Sequence, residues 1–240
     1  MLNGKTFLAI IPARGGSKRL PRKNLLDLAG KPLITWTIEA ALKSNYLDEV
    51  MVTTDDQEIA DTAQHYGAAV PFLRPADLAS DTATTFDVIK HSVDFYAAAG
   101  KTFDFVVLLQ PTSPLRAAAH IDDALQLIES KKADAVISVT EMSHSPLWSN
   151  TLPANDDMSG FLRDEVKNKR SQDLETYYRL NGATYICRTN RLLEEKSFFI
   201  KENIFAYRMS KESSVDIDNK IDFDFAEFIM NTIFLENKDA

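Results

Sequence analysis

A strongly basic segment at residues 12–24 follows the first apolar run of the chain and reads PARGGSKRLPRKN. Its five cations are Arg14, Lys18, Arg19, Arg22 and Lys23. The adjacent Gly15 and Gly16 leave backbone N–H groups open to a ligand, because neither residue carries a Cβ. Arginine and lysine supply the countercharge that a polyphosphate needs. The segment therefore predicts a triphosphate-binding loop, with a solvated basic loop as the alternative.

Two common phosphate-binding motifs do not match this segment. It lacks the Gly-x-Gly-x-x-Gly spacing of a dinucleotide-binding fold, and it lacks the Gly-x4-Gly-Lys-Ser/Thr spacing of a P-loop. The mismatch disfavours dehydrogenase-type and kinase-type functions.

Asp216 and Asp218 stand two residues apart near the end of the sequence. On an extended segment both carboxylates leave the same face and can share one hard cation, for which magnesium is the expected ion. Such a cation would bridge phosphate oxygens and lower the charge that a nucleophile must approach. Two alternatives stay open: an acidic turn with a helix cap at Asp218, and the Asp-x-Asp of a metal-dependent glycosyltransferase, which usually lies in mid-chain.

Short apolar runs alternate with stretches of helical spacing, which is typical of an α/β fold with a mostly parallel, twisted sheet flanked by helices. Strands are predicted at 7–12, 49–54, 68–73, 103–109, 135–139, 181–187 and 205–209. Helices are predicted at 33–42, from an Asp55-Asp56 cap to Gly67, from an Asp81-Thr82 cap to Gly100, at 121–129 and at 221–234. The basic segment would then lie beyond the carboxyl end of the first strand, where open α/β sheets bind ligands.

Residues 141–180 interrupt this rhythm with Pro, Asn, Asp and charged residues in no clear period. The segment also contains Trp148, Phe161, Tyr177 and Tyr178, too many large side chains for a solvated linker. We predict a protruding excursion used for dimerisation, within a single domain that spans residues 1–240.

Composition limits the possible partners. Hydrophobic residues make up 45% of the 240 residues and charged residues 26%, as in soluble globular domains. The net charge of −8 disfavours nucleic acid and anionic membranes as partners. The first apolar run, residues 7–11, is too short for a signal peptide or a membrane span. The single Cys187 excludes an intramolecular disulfide, so a reducing, cytoplasmic location is expected.

The basic segment is one of five sequence blocks that follow the order found in a known family. The blocks are 11–24 (IPARGGSKRLPRKN), 73–82 (LRPADLASDT), 108–116 (LLQPTSPLR), 179–183 (RLNGA) and 216–218 (DID). With them, nearly the whole chain resembles the acylneuraminate (CMP-sialic acid) cytidylyltransferases. The resemblance implies a Rossmann-like nucleotidyltransferase fold and Mg²⁺-dependent transfer of CMP. The anomeric hydroxyl of an eight- or nine-carbon keto-acid sugar would attack the α-phosphate of CTP and expel pyrophosphate.

The resemblance also implies roles for individual residues. The CTP-binding positions are Arg14, Gly15, Gly16, Ser17, Lys23, Asn24, Arg74 and Asp81. The sugar-binding positions are Gln110, Tyr185, Phe198 and Phe199, with Arg170, Gln172 and Arg179 as further candidates. The catalytic positions are Arg14, Lys23, Asp216 and Asp218, of which the two aspartates bind the metal. Alternatively, the three aromatic residues belong to the core, and Asp81 caps a helix.

The chain departs from the family at two positions that commonly carry cations. Ser171 stands where sialic-acid members have an arginine beside Gln172, so Arg170, Arg179 or another group takes the sugar carboxylate. Trp148 stands near a position where bacterial members often have lysine. A less polar pocket favours legionaminic acid over N-acetylneuraminic acid. A cytidylyltransferase for the shorter octulosonate sugar and a non-catalytic nucleotide-binding module are the alternatives.

Overall fold

The computed structural model describes the backbone of residues 1–236 and the side chains of residues 1–232. The last four residues of the predicted domain therefore lie outside the described residues. The strands are β1 (Phe7–Pro12), β2 (Asp27–Leu28), β3 (Lys31–Pro32), β4 (Glu49–Thr53), β5 (Phe105–Leu108), β6 (Ala135–Glu141), β7 (Tyr178–Arg188) and β8 (Ile204–Met209). The helices are α1 (Leu33–Leu42), α2 (Gln57–His65), α3 (Thr85–Ala98), α4 (Ala118–Lys131), α5 (Thr189–Glu195) and α6 (Lys220–Glu236).

Six of the strands form one sheet in the order β4-β1-β5-β7-β6-β8, and β2 pairs with β3 in a small separate ribbon. In the main sheet β7 runs antiparallel to both of its neighbours, and the other pairs are parallel. The predicted α/β fold with a mostly parallel sheet is confirmed.

The centre of the sheet is buried on both faces. Phe7, Ala9 and Ile11 pack into one hydrophobic cluster, whereas Leu8 and Ile10 pack into the cluster on the opposite face. Helices cover both faces of such a strand, and this explains why its sequence is continuously apolar instead of alternating. The rigid β1–β5 pair holds the loops at its carboxyl end in place.

One predicted strand and one predicted helix start are wrong. Residues 68–73 make only two isolated parallel bridges, Met51 with Ala69 and Thr54 with Leu73. Pro71 lies between them and has no N–H to donate, so a continuous ladder cannot form. Helix α3 begins after Thr84 and not at Asp81-Thr82, because the Thr84 hydroxyl accepts a hydrogen bond from the Asp87 N–H in a capping box.

The segment 141–177 begins with the last residue of β6 and otherwise consists of loops and short 3₁₀ turns, and the C-terminal end of the predicted excursion belongs to β7. Leu152 and Met158 lie at its surface, 54% and 58% exposed. The 26.9 kDa chain exposes 12774 Å² in all, more than the roughly 10,800 Å² expected for a compact monomer of that mass. No helix of the described residues has the length and hydrophobicity to cross a membrane.

Candidate active site

A cleft of three adjoining lobes opens beyond the carboxyl ends of β1 and β5. The basic lobe, of about 530 Å³, includes Arg14, Ser17, Lys18, Arg19, Lys23, Asn24, Gln110, Thr112 and Asp218. The side lobe, of about 260 Å³, includes Arg14, Arg74, Ser80 and Thr85. The aromatic lobe, of about 810 Å³, includes Gln110, Phe86, Tyr185, Phe198 and Phe199. Arg14 joins the first two lobes and Gln110 joins the basic lobe to the aromatic one.

Four of the five cations of the basic segment line the basic lobe. Asp81 holds two of them, with Arg14 Nη1 at 3.0 Å and Lys18 Nζ at 2.6 Å from its carboxylate oxygens. Hydrogen bonds from Lys18 and then Arg14 hold the pKa of Asp81 below its usual range. These side chains are largely exposed, so the pairs are weak and phosphate oxygens can replace Asp81.

Arg22, the fifth cation, does not line the basic lobe. Its guanidinium pairs with Asp56 and Glu58 at the start of α2. Arg22 therefore attaches the loop to α2.

A close contact requires glycine at only one of the two adjacent positions, Gly15 and Gly16. A Cβ on Gly15 would lie 2.7 Å from Asp56 Oδ2, and the Gly15 N–H donates to Asp55 Oδ1 at 3.2 Å. Gly15 is thus required by the close approach of the loop to the start of α2. Nothing lies within 4 Å of the Cβ position of Gly16, which faces open space.

Arg74 is the buried cation of the side lobe. Its Nη2 lies 3.3 Å from Asp55 Oδ1, and its Nε has no partner among the described residues. Burial lowers the pKa of Arg74, and the Asp55 carboxylate opposes that shift. A buried donor without a partner is costly unless a ligand completes it, so Arg74 favours a polar ligand in this lobe.

Asp218 lines the end of the basic lobe, and the partly buried Asp216 lies near enough for the charge of Asp218 to act on it. Asp218 accepts from Arg19 Nη1 at 2.6 Å, and Lys23 Nζ lies 3.6 Å from its other oxygen. Lys23 also donates to the Ile217 carbonyl at 2.5 Å. Burial raises the pKa of Asp216, and the nearby charge of Asp218 raises it further.

The donor set at this end of the cleft fits a magnesium ion. Its two carboxylates are hard oxygen ligands, and the described residues contain no cluster of three His, Cys, Asp or Glu that would form a complete metal cage. Magnesium usually takes one or two carboxylates and completes its octahedron with substrate phosphates and water.

The aromatic lobe has both buried and open walls. The Tyr185 ring lies 6.0 Å from Phe198 and 6.2 Å from Phe199. Phe198 is 7% exposed and belongs to the hydrophobic core, whereas Phe199 is 55% exposed. Phe198 therefore packs in the core while it also lines the lobe, and sugar binding by the three aromatic residues stays a prediction.

Arg170 and Gln172 are exposed on the segment 141–177 and line none of the three lobes of their own chain. Arg179 lies nearer to the site: its positive charge lowers the pKa of Asp216, against the larger effect of burial. Its Nη2 also donates to the Ser214 carbonyl at 3.4 Å.

Sequence reasoning assigned no role to Thr112 or Arg116. Thr112 lines the basic lobe, and its carbonyl accepts the Ile217 N–H at 2.8 Å, which positions the acidic segment. Arg116 is buried beneath Gln110. Both residues lie inside the block 108–116, so the signal was present, but a single sequence does not reveal which residues of a block face the ligand.

Comparison with known proteins identifies relatives of this chain. The family model described as cytidylyltransferase matches residues 8–240. The CMP-N,N'-diacetyllegionaminic acid synthase of Legionella pneumophila is 43% identical, over 93% of this chain and 96% of the relative. The N-acylneuraminate cytidylyltransferase of Escherichia coli is 41% identical over 92% of this chain, but the chain spans only 51% of that relative.

A solved structure shares the fold. The CMP:2-keto-3-deoxy-manno-octonic acid synthetase complexed with CTP has a TM-score of 0.70 at 21% identity, covering 95% of this chain and 99% of that chain. The predicted nucleotidyltransferase fold is confirmed by this likeness.

Proposed function

This chain belongs to the cytidylyltransferase family, and from that premise we propose that it transfers CMP from CTP to a nonulosonic acid and releases pyrophosphate. The observation that carries the proposal is the continuity of the cleft. A basic lobe that ends at Asp218 opens through Gln110 into a lobe walled by aromatic rings. This arrangement suits a triphosphate and a polyhydroxylated, acylated sugar acid placed end to end.

The reaction is a displacement at phosphorus. The anomeric oxygen of the sugar forms a bond to the α-phosphorus of CTP and gives up its proton, while the bond to the bridging oxygen breaks and pyrophosphate leaves with the electron pair. Arg14 and Lys23 line the basic lobe. Their positive charges stabilise the negative charge that develops on the departing pyrophosphate.

The nucleoside end of CTP occupies the side lobe in this proposal, where the unpartnered Nε of Arg74 supplies a hydrogen-bond donor. Gln110, Tyr185, Phe198 and Phe199 bind the sugar in the aromatic lobe. Arg179 and Arg170 both stay candidates for the sugar carboxylate, because neither lines a lobe of its own chain; Arg179 is the one whose charge acts on Asp216.

Magnesium is part of the proposed function, and Asp216 and Asp218 are the residues that would hold it. When bound, the ion supplies charge neutralisation at the phosphate oxygens. A cytoplasmic location is also proposed, supported by the buried free thiol of Cys187, which suits a reducing compartment.

Pyrophosphate release tests this function. The purified protein is incubated with CTP, Mg²⁺ and a panel of legionaminic, N-acetylneuraminic and octulosonic acids, and pyrophosphate is measured. Release that depends on both CTP and a nine-carbon acid is expected. Release only with the octulosonic acid would favour the shorter-sugar enzyme, and CTP binding without any release would favour a non-catalytic nucleotide-binding module.

We further propose that the segment 141–177 mediates a twofold dimer, in which each excursion reaches the partner's aromatic lobe. The exposed Leu152 and Met158 and the large surface of the chain support this. Sedimentation of the purified protein is expected to give a dimer at micromolar concentration, and Leu152→Asp combined with Met158→Asp to shift it toward monomer. A monomeric wild-type protein under these conditions would contradict the proposal.

Substrate preference follows from the same dimer. Trp148 is partly buried in a short turn of the excursion and lines none of the lobes of its own chain. In a dimer it can cover an apolar group of the partner's sugar, and legionaminic acid ends in a methyl group. We expect kcat/KM for legionaminic acid to exceed that for N-acetylneuraminic acid by roughly 10–200-fold, the range of one apolar contact.

Two variants check the origin of that preference. Trp148→Lys should narrow the ratio, whereas Trp148→Phe, which keeps an apolar ring, should preserve most of it. Equal use of both sugars by the unmodified enzyme would contradict the role of Trp148 without affecting the proposed CMP transfer.

A further inference from the structure

Arg116 is a buried cation without a carboxylate partner among the described residues. It is 1% exposed, and its Nη1 donates to the carbonyls of Gln110, at 3.2 Å, and Ala183, at 2.7 Å. Its Nε and Nη2 have no partner there, and burial lowers the pKa of Arg116 to about 9. A buried guanidinium with unmet donors stabilises a core poorly, so stability alone does not account for this residue.

The two carbonyls belong to neighbouring parts of the chain, one just after β5 and one in β7, and these two strands pair with each other. Gln110 follows β5, and Ala183 lies in an irregular stretch of β7. Ile137 of β6 pairs with Tyr185, but Val139 pairs with Leu180. Residues 181–184 of β7 therefore form a bulge opposite the single residue Ser138 of β6. A bulge of this kind redirects the side chains and backbone around it.

Buried hydrogen bonds hold this bulge to both sides. Asn181 Oδ1 accepts from Ser138 Oγ of β6 at 2.6 Å. Asn181 Nδ2 donates to Ser214 Oγ at 3.0 Å, just ahead of the acidic segment. The bulge therefore connects β6 to the loop that carries Asp216.

Gly182 is the point of this bulge where the site residues converge. Its φ is +74°, and a Cβ there would lie 3.0 Å from Gln110 Oε1 and 3.4 Å from Asp216 Oδ2. The Gln110 amide and the Asp216 carboxylate thus both rest against the backbone of the bulge. The Ser113 N–H, at 3.3 Å, and Thr37 Oγ1, at 3.4 Å, are two further and longer donors to the Gln110 carbonyl.

We propose that Arg116 is a positioning residue for the sugar substrate, because it ties the Gln110 carbonyl to the β7 bulge and so sets the Gln110 amide against the backbone at Gly182, at the junction of the basic and aromatic lobes. This inference rests on the proposed function. Arg116 touches neither the basic lobe nor the aromatic lobe. Its effect therefore reaches the sugar through Gln110, whereas the triphosphate contacts of the basic segment are independent of it.

Arg116→Met and Arg116→Lys test this role by steady-state kinetics in both substrates and by calorimetric titration with CTP. For Arg116→Met, KM for the nonulosonic acid should rise about 10-fold and kcat should fall, while the dissociation constant for CTP stays within about twofold. Arg116→Lys keeps one donor for a carbonyl and should recover part of the loss. Thr184→Val is the matched control, because it removes a buried hydroxyl of the same bulge that has no partner among the described residues.

Three results would overturn the proposal: wild-type kinetics in Arg116→Met, equal loss of sugar and CTP binding, or a sugar-specific loss of the same size in Thr184→Val. If Arg116→Met fails to fold, Gly182→Ala replaces it: alanine is strained at this φ, and its Cβ, 3.0 Å from Gln110 Oε1, would press on the Gln110 amide. A raised KM for the sugar with unchanged CTP affinity in Gly182→Ala supports the β7 bulge as the element that positions Gln110. An unchanged KM for the sugar refutes this role. Failure of the proposed function is distinguishable, because the wild-type protein would then release no pyrophosphate.

Discussion

Replacing Asp218 with asparagine is expected to lower turnover by about 10³-fold while the fold and much of the CTP affinity remain. A correctly placed metal charge contributes several kcal/mol to the transition state, and a loss of that size corresponds to about three orders of magnitude in rate. Asparagine keeps the shape of the side chain but removes the charge. The loss should therefore fall mainly on kcat and not on the binding of CTP.

The environment of Asp218 explains why the protein should remain folded. The side chain is 51% exposed and its nearest cation, Arg19, is 74% exposed. Ion pairs this exposed contribute little to stability. Thermal unfolding of Asp218→Asn is therefore expected close to that of the wild type.

The informative measurement is the dependence of pyrophosphate release on Mg²⁺ concentration. Asp224→Asn is the matched control, because Asp224 is an exposed carboxylate on α6 that pairs with Lys220 and lines none of the three lobes. The control should behave as the wild type. Wild-type activity of Asp218→Asn at limiting magnesium would show that the two aspartates are structural.

Replacing Lys23 with methionine is expected to lower kcat by between about 10²- and 10³-fold, the usual effect of removing one charge-stabilising donor from an active site. The Lys23 side chain is 14% exposed, and the Ile217 carbonyl and Asp218 fix its ammonium at the acidic end of the basic lobe. A fixed charge of this kind needs little reorganisation as negative charge develops on the phosphates.

Lys23→Arg and Lys43→Met are the controls for Lys23→Met. The first tests whether the charge at position 23 is sufficient, and the second tests the effect of losing any one lysine charge. Lys23→Arg keeps the charge in a different shape and should retain more activity than Lys23→Met. Lys43, directly after α1 and 72% exposed, lines none of the three lobes, and Lys43→Met should leave kcat unchanged. If Lys23→Met instead raised KM for CTP at an unchanged kcat, Lys23 would serve ground-state binding alone.

The strands that could be predicted from the sequence are those whose two faces are both buried. The runs that become β1 and β5 are apolar at every position because both faces of these strands are covered, so sequence alone located them. Residues 68–73 have a similar composition, yet Pro71 and an edge position leave them with two bridges only. Strand direction was not predictable either. Nothing in the composition of β7 distinguishes an antiparallel neighbour from a parallel one, since this depends on how the chain returns to the sheet.

The candidate site divides in the same way. The sequence by itself determined that a group of cations follows β1 and that two carboxylates precede α6. It also supplied the aromatic residues that were expected to bind the sugar. Only the tertiary structure decided that Arg22 turns to α2, that Gly15 is required by Asp56, and that Gln110, Gly182 and Asp216 meet. The physical reason is range: strand and helix patterns depend on neighbours a few residues away, whereas ion pairs and close contacts depend on which distant segments the packed sheet brings together.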